Sequence, residues 1–180
     1  MPTPVEETAA AVAGGKLYVM GGFNAAGLSL ATVFAFDGSS WQTGPRLPLA
    51  VDHPSAATLD GQVYLAGGHS NGRDSARLFR LDADRWTELA PMHFARGGHA
   101  LIGAQGRLYA IGGNTSRGNV APAVAYDPAA DAWTVLPSVV SRASSSTTVS
   151  LGRPSQYLLN VHPGKARRYS KYSKTTRWPT

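Results

Sequence analysis

Residues 15–22 read GKLYVMGG, and nearly the same phrase returns as GQVYLAGG at 61–68 and as GRLYAIGG at 106–113. Each copy begins with glycine, continues through apolar residues around a central tyrosine, and ends on a glycine pair. Short apolar runs that follow a glycine turn are typical of β-strands in tight hairpins. The regular recurrence therefore indicates a repeat protein with units of about 45 residues.

Each unit carries further features at fixed positions around this phrase. A short apolar strand and a glycine-bearing turn precede it, and a polar loop, an alternating strand and a tryptophan strand follow it. We label the four strands A, B, C and D in chain order. No stretch shows a sustained helical period of apolar residues. The sequence therefore predicts an all-β chain in which each unit is a four-stranded antiparallel sheet.

The glycine pair, an aspartate at the end of strand C and the tryptophan of strand D together resemble the kelch repeat. The residues that carry the resemblance are Gly21-Gly22, Gly67-Gly68, Gly112-Gly113, Asp37, Asp82, Tyr126-Asp127, Trp41, Trp86 and Trp133. In kelch proteins each repeat is one blade of a β-propeller, so the resemblance implies kelch-type β-propeller blades. It also implies that the glycines allow close backbone approach and that the aromatic rings fill the space between blades.

The resemblance divides residues 1–139 into three blades, at about 1–49, 50–93 and 94–139. Residues 140–180 keep Tyr157 and Trp178 in the repeat register but have Asn160-Val161 in place of the glycine pair. We interpret this segment as a degenerate, basic and poorly ordered fourth blade.

The whole chain is then a partial or open propeller of about four blades. Three arrangements remain open: a four-bladed ring, an open arc, and an arc completed by a second chain. A truncated reading of a longer propeller would produce the same pattern. An open arc exposes the apolar faces of its end blades, which predicts self-association that covers them.

The net charge of +6 is concentrated in the tail. Residues 1–139 hold nine Lys and Arg and all eleven Asp and Glu, whereas residues 140–180 hold eight Lys and Arg and no acid. The segment 165–174 mixes cations with tyrosines, as single-strand nucleic-acid binders do. The retained repeat register favours a degenerate blade instead, and a nucleic-acid partner is not expected.

The chain contains no cysteine, which excludes disulfides and thiolate chemistry and suits a reducing compartment, the cytoplasm. The N-terminal residues lack the basic region of a signal peptide, and no apolar run is long enough for a membrane span. The five histidines show no metal-ligand spacing, and neither a phosphate-binding loop nor a nucleophile elbow occurs. We therefore expect no metal, no cofactor and no membrane contact.

Antiparallel alternation places the B–C loops and the D–A links on one face, and these loops are longer and more variable than the opposite turns. The candidate binding residues on this face are Asn24, His69, Asn71, Arg73, Arg96, Asn114, Arg117 and Arg142. In kelch domains that recruit peptides, arginines at such positions pair with acidic groups. The resemblance assigns this role to Arg96 and Arg142, and loop position extends it to Arg73 and Arg117.

Three functions are compatible with these features. The favoured one is a non-enzymatic kelch interaction module that binds a protein or an acidic peptide through the B–C and D–A loop face. The alternative is a carbohydrate-processing propeller of the epimerase or mutarotase type, for which Asp52 and Asp74 are the nearest acids. A copper-radical oxidase is excluded because its Tyr-Cys crosslink needs a cysteine. The third is a decayed or partial chain without independent activity.

Overall fold

The computed structural model describes residues 1–137, which form three four-stranded antiparallel sheets that we call blades 1, 2 and 3. The strands are β1 Ala9–Ala13, β2 Lys16–Met20, β3 Val33–Phe36, β4 Trp41–Thr43, β5 Ser55–Leu59, β6 Gln62–Ala66, β7 His69–Ser70, β8 Arg73–Asp74, β9 Leu78–Asp82, β10 Arg85–Leu89, β11 Ala100–Ala104, β12 Arg107–Ile111, β13 Asn114–Thr115, β14 Gly118–Asn119, β15 Val124–Asp127 and β16 Ala132–Val135. Blade 1 is β1–β4, blade 2 is β5, β6, β9 and β10, and blade 3 is β11, β12, β15 and β16.

The predicted all-β class and the four-stranded antiparallel sheets are confirmed, and in every blade the spatial order of the strands is A, B, C, D. The described part of the chain contains no helix, and hence none long and apolar enough to cross a membrane. The predicted fourth blade at 140–180 lies outside the described residues. The pairs β7–β8 and β13–β14 are small antiparallel ribbons inside the B–C loops of blades 2 and 3.

The hairpins between strands A and B turn through residues with left-handed backbone. In blade 2 these residues are Asp60, with φ of 49°, and Gly61, with φ of 75°. Positive φ at both central positions gives a turn whose twist matches that of the flanking strands. This turn sets the pairing of β5 with β6, in which Leu59 is opposite Gln62 and Ser55 is opposite Ala66.

Apolar side chains of neighbouring blades form two buried clusters. Met20 of blade 1 and Phe79 of blade 2 belong to the first cluster. Leu78 of blade 2 packs in the second cluster with Leu108 and Tyr126 of blade 3. Blade 2 therefore buries both of its faces, which a single twisted sheet could not do alone. Burial of each such side chain stabilises the fold by roughly 1.5–3 kcal/mol.

The repeated tryptophans bind each blade to the one before it. The indole N–H of Trp86 donates to the carbonyl of Pro45, and that of Trp133 donates to the carbonyl of Ala90, both at 2.8 Å. Both carbonyls lie where the chain leaves the preceding blade. The period of the tryptophans in the sequence therefore reflects a contact between blades.

The glycine pairs allow the D–A links to cross the ends of strands B. The N–H of Gly22 donates to the carbonyl of Val51, and that of Gly68 to the carbonyl of Arg96, each at 2.8 Å. The first glycine of these two pairs approaches the same carbonyl. A Cβ added to Gly21 would lie 2.6 Å from the oxygen of Val51, and one added to Gly67 would lie 2.3 Å from the oxygen of Arg96. This contact explains why the repeated phrase ends on two glycines.

Candidate functional site

The B–C loops and the D–A links meet on one side of the blades, which we call the loop face. Its segments are the loops 23–31, 69–75 and 114–122 and the links 45–54 and 92–98. Asp52 and His69 exchange two backbone hydrogen bonds, of 2.9 and 2.8 Å, and Gly97 and Asn114 exchange two of 2.9 Å. Each link is thus fastened to the loop of the blade it enters, so the loops stand on fixed backbone.

Backbone hydrogen bonds also join the three blades where their A strands begin. The N–H of His53 donates to the carbonyl of Glu7 at 3.0 Å, and the N–H of Gly98 donates to the carbonyl of His53 at 2.9 Å. All three residues have positive φ, of 54°, 48° and 59° in chain order. This shared backbone conformation gives the loop face a regular inner rim.

Asp52 is a buried carboxylate that connects this rim to the loop of blade 1. It is 3% exposed, accepts a hydrogen bond of 2.6 Å from the Ser29 hydroxyl, and pairs with Nδ1 of His53 at 2.9 Å. Nε2 of His53 lies 3.4 Å from Oε2 of Glu7. Asp52 therefore fixes the His53 ring, and its own oxygens are occupied by internal partners.

Asp74 connects the loops of blades 2 and 3. Its carboxylate pairs with Nδ1 of His69 at 3.0 Å and accepts hydrogen bonds from the N–H and the hydroxyl of Ser116, at 3.2 and 3.1 Å. Desolvation acts to raise the pKa of Asp74, but the Ser116 donors and His69 outweigh it and hold the pKa below its usual value. Asp74 is thus ionised at neutral pH and already satisfied within the protein.

A groove of about 820 Å³ opens between the loop of blade 2, the loop of blade 3 and the link 92–98. We call it the inter-loop groove. Arg73, Asp74 and Arg117 contribute to its polar side, and Phe94 and Pro122 contribute to its apolar side. Its volume lies within the range of about 300–1,000 Å³ that is usual for ligand sites.

The two arginines of this groove face solvent. Arg73 and Arg117 are both exposed, and neither takes part in the ion pairs that residues 1–137 form. The neighbouring carboxylate of Asp74 bonds His69 and Ser116 instead. The structure therefore brings together two of the predicted binding arginines, and within residues 1–137 neither guanidinium donates to an internal partner.

We expected Arg96 to line the binding face, but the structure buries it. The residue is 0% exposed, and its guanidinium donates to the carbonyls of Gly112 and Pro122 at 3.0 and 2.8 Å. Burial lowers its pKa, although not enough to remove the charge of a guanidinium. The long side chain turns inward because these two carbonyls of blade 3 need donors, so Arg96 holds blade 3 to the link and does not line the surface.

His99 lies beneath Arg96 at the junction of blades 2 and 3. It is 7% exposed, and within the described residues neither ring nitrogen has a hydrogen-bond partner. Its Cε1 would lie 2.8 Å from a Cβ added to Gly67. Burial, followed by the positive charge of Arg96, lowers the pKa of His99 to about 4. The ring is therefore neutral at pH 7.

The remaining predicted residues have varied surroundings. The Asn24 side-chain oxygen accepts hydrogen bonds of 3.0 Å from the N–H groups of Ala26 and Leu28, so it shapes its own loop. Asn71 is exposed at the tip of the β7–β8 ribbon with φ of 49°, and Asn114 is exposed beside Gly97. His69 is half-buried and bound to Asp74. Arg142 lies outside the described residues.

Sequence reasoning missed the aromatic side of the groove. Phe94 is 38% exposed, and its ring centroid lies 6.3 Å from that of His93. Nothing in the repeat pattern marks this position, because the links have no fixed alternation of inward and outward residues. The available signal was an aromatic pair in a link whose residues are otherwise mainly small.

The carboxylates and imidazoles of the loop face bond one another, as Asp52 does with His53 and Asp74 with His69. Within residues 1–137 no three His, Asp or Glu side chains are placed to hold a metal ion. Asp52 and Asp74, the acids considered for an epimerase, are both held by internal hydrogen bonds. What the arrangement offers is a concave surface with two exposed cations and an apolar wall, which suits recognition of a ligand.

Stacked four-stranded sheets, tied by tryptophans and glycine pairs and carrying a loop face, define repeated blades of a β-propeller. The kelch motif matches this chain three times, at residues 7–48, 52–93 and 95–139. The chain therefore belongs to the kelch-repeat family, and the resemblance read from its glycine pairs and tryptophans is confirmed.

Curated relatives match about three quarters of the chain. Kelch-like protein 35 of Mus musculus is 30% identical over 135 residues, which are 71% of this chain and 23% of that protein. Kelch repeat and BTB domain-containing protein A55 of Vaccinia virus (strain Western Reserve) is 27% identical over 141 residues, which are 75% of this chain and 25% of that protein. The chain thus spans about a quarter of the length of these relatives.

A solved structure supports the fold assignment. YjhT superposes with a TM-score of 0.65 at 19% sequence identity, covering 76% of this chain and 47% of that chain. At this level of identity the likeness concerns the fold alone. The chain corresponds to about half of that solved structure.

Proposed function

We propose that this chain is a non-enzymatic binding module that holds an acidic segment of a partner protein on its loop face. Family membership supports a protein-binding role, since the relatives are kelch proteins, several with a BTB domain in their names. The loops are fastened to the links by backbone hydrogen bonds and to one another by Asp74 and Ser116. A surface fixed in advance loses little entropy when it binds.

The observation that carries the proposal is the presence of two exposed arginines in the inter-loop groove. Arg73 and Arg117 are exposed cations, and the nearby carboxylate of Asp74 is hydrogen-bonded to His69 and Ser116 and forms no ion pair with either arginine. The two guanidinium groups can therefore bind an anionic group of a ligand. Arginine forms bidentate hydrogen bonds with carboxylates, which gives both affinity and orientation.

Replacing either groove arginine is expected to weaken the binding of acidic peptides. A fluorescently labelled array of short peptides, with Asp or Glu placed at successive positions, serves as the probe. The best binder should lose roughly tenfold in affinity on Arg73→Ala or Arg117→Ala, which is the loss of about 1.4 kcal/mol. Its affinity for the parent chain should also fall as salt is raised, because exposed charges are screened.

Arg85→Ala is the matched control for this measurement. Arg85 is also exposed and also belongs to blade 2, but it lies at the opposite end, beside the turn between strands C and D. Its replacement should leave the peptide affinity unchanged. Equal losses in all three variants would indicate a general charge effect and would contradict the assignment of the site to the groove.

We further propose that a second copy of the chain covers the outward face of blade 1. Leu17, Val19 and Phe36 are half-buried on that face. Their equivalents in the repeat of blade 2 are Val63, Leu65 and Leu81, which pack against blade 1. Such a surface is built to receive another blade.

Sedimentation velocity of the full chain over a wide concentration range tests this association. We expect a defined oligomer that Val19→Asp dissociates, because a carboxylate would enter an apolar contact. Leu28→Asp, at an exposed position on the loop of blade 1, should leave the oligomer intact. A monomer at every concentration would rule the association out.

A further inference from the structure

The inter-loop groove has two unlike sides. Arg73 and Arg117 stand on the polar side, and the apolar side is formed by Phe94, Val120 and Pro122. Phe94 is 38% exposed although it belongs to a concave surface, and Val120 and Pro122 are half-buried. A single exposed aromatic residue is common, but an exposed ring inside a groove beside two further apolar residues leaves a surface that a ligand can remove from water.

The apolar side is held in place by the buried arginine. Arg96 donates to the carbonyl of Pro122, and its own carbonyl accepts the N–H of Gly68. Phe94 is two residues before Arg96 in the same link, and its carbonyl accepts a further hydrogen bond of 3.4 Å from Nε of Arg96. The position of Phe94 relative to Pro122 is therefore set by contacts beneath the surface, which hold the apolar side of the groove together.

Asp74 limits how much negative charge the groove accepts. Its pKa is held below the usual value by Ser116 and His69 against desolvation, so a carboxylate lies in the lining of the same groove. A ligand with a run of acidic residues would bring several like charges against it. Repulsion of this kind is a common source of specificity. The lining thus favours one carboxylate together with an apolar group over a polyacidic stretch.

We propose that the inter-loop groove recognises a peptide in which one acidic residue stands next to a large apolar residue. The carboxylate pairs with Arg73 and Arg117, and the apolar side chain covers Phe94. This inference rests on the proposed function and specifies the ligand of that same site.

Matched fluorescent peptides of glycine and serine, differing only at two central positions, test the proposal on the full chain. The centres are Asp-Leu, Asp-Ala, Asn-Leu and Asn-Ala, each also in the reversed order, with Asp-Asp-Asp as the polyacidic peptide. Fluorescence anisotropy is measured with the parent chain and with the variants Phe94→Ala and Arg117→Ala. Leu28→Ala is the control, because Leu28 is an exposed apolar residue outside the groove.

An Asp-Leu centre, in one of its two orders, should bind about tenfold more tightly than Asp-Ala on the parent chain and almost equally on Phe94→Ala. The Asp-to-Asn change should cost affinity on the parent and little on Arg117→Ala. Leu28→Ala should match the parent throughout.

The outcomes separate the two proposals. If Asp peptides bind through Arg117 but Leu and Ala centres bind alike, the apolar subsite is wrong and the acidic-segment function stands. Tighter binding of Asp-Asp-Asp than of Asp-Leu also overturns the apolar subsite. If no peptide binds above background, both proposals fail together.

Discussion

The variant Gly67→Ala is expected to lose about 4 kcal/mol of unfolding free energy, a large share of the total for an ordinary domain. Gly67 has φ of 68°, and an added Cβ would lie 2.3 Å from the carbonyl oxygen of Arg96. Left-handed backbone costs a non-glycine residue roughly 1–2 kcal/mol. The remainder comes from displacing that carbonyl, which accepts the N–H of Gly68 and belongs to the link that carries Phe94.

Urea denaturation of the parent and the variant measures this loss, and the melting temperature should fall by roughly 10 °C. Gly61→Ala is the matched control, because Gly61 has φ of 75° but no atom within 4 Å of its added Cβ. The control should cost only the backbone strain, about 1–2 kcal/mol. If the two variants were equally destabilised, the contact between the glycine pair and the link would have no energetic weight.

The blades could be predicted from the sequence because their determinants are local and periodic. Each described unit has counterparts of Gly67, Gly68 and Trp86. The glycine contacts of blade 2 repeat those of Gly21 and Gly22 in blade 1, and the indole contact of Trp86 is repeated by Trp133 in blade 3. An indole that must reach the preceding link can stand at only one place in a sheet, as Trp133 does against Ala90. A period of this kind therefore predicts both the register of the strands and the order of the blades.

The candidate site could be predicted only in outline. The alternation of strands placed Arg73 and Arg117 on the loop face, and both are exposed there. The same logic failed for Arg96, because the choice between solvent and a buried carbonyl depends on which backbone groups of the next blade lack a donor. The exposure of Phe94 could not be predicted for a related reason. It depends on the path of the link, and the sequence of the links has no periodic pattern.

The junction beneath the groove should also make the fold sensitive to mild acid. His99 has a pKa of about 4 in the folded protein, below its ordinary value of 6.5, because it is buried beside Arg96. Between these two values the unfolded chain binds more protons than the folded chain, so stability falls as pH falls. The loss begins near the unfolded pKa and is complete below the folded one. It should reach about 2 kcal/mol at about pH 5 and about 3 kcal/mol at full extent.

The carboxyl groups of Asp37, Asp82 and Asp131 have lowered pKa values, through hydrogen bonds to Ser40, Arg80 and Ala90 respectively, so their stabilisation is lost only below the ordinary aspartate value of 3.8. Urea unfolding at about pH 7.5 and about pH 5 therefore separates His99 from these acids. His99→Leu and His99→Gln, which carry no titrating group, should each lose about 2 kcal/mol less than the parent between the two pH values. An unchanged pH dependence in both variants would show that the acid sensitivity arises elsewhere. Since the His99 ring lies against Gly67 and beneath Arg96, protonation would act on the same link that positions Phe94.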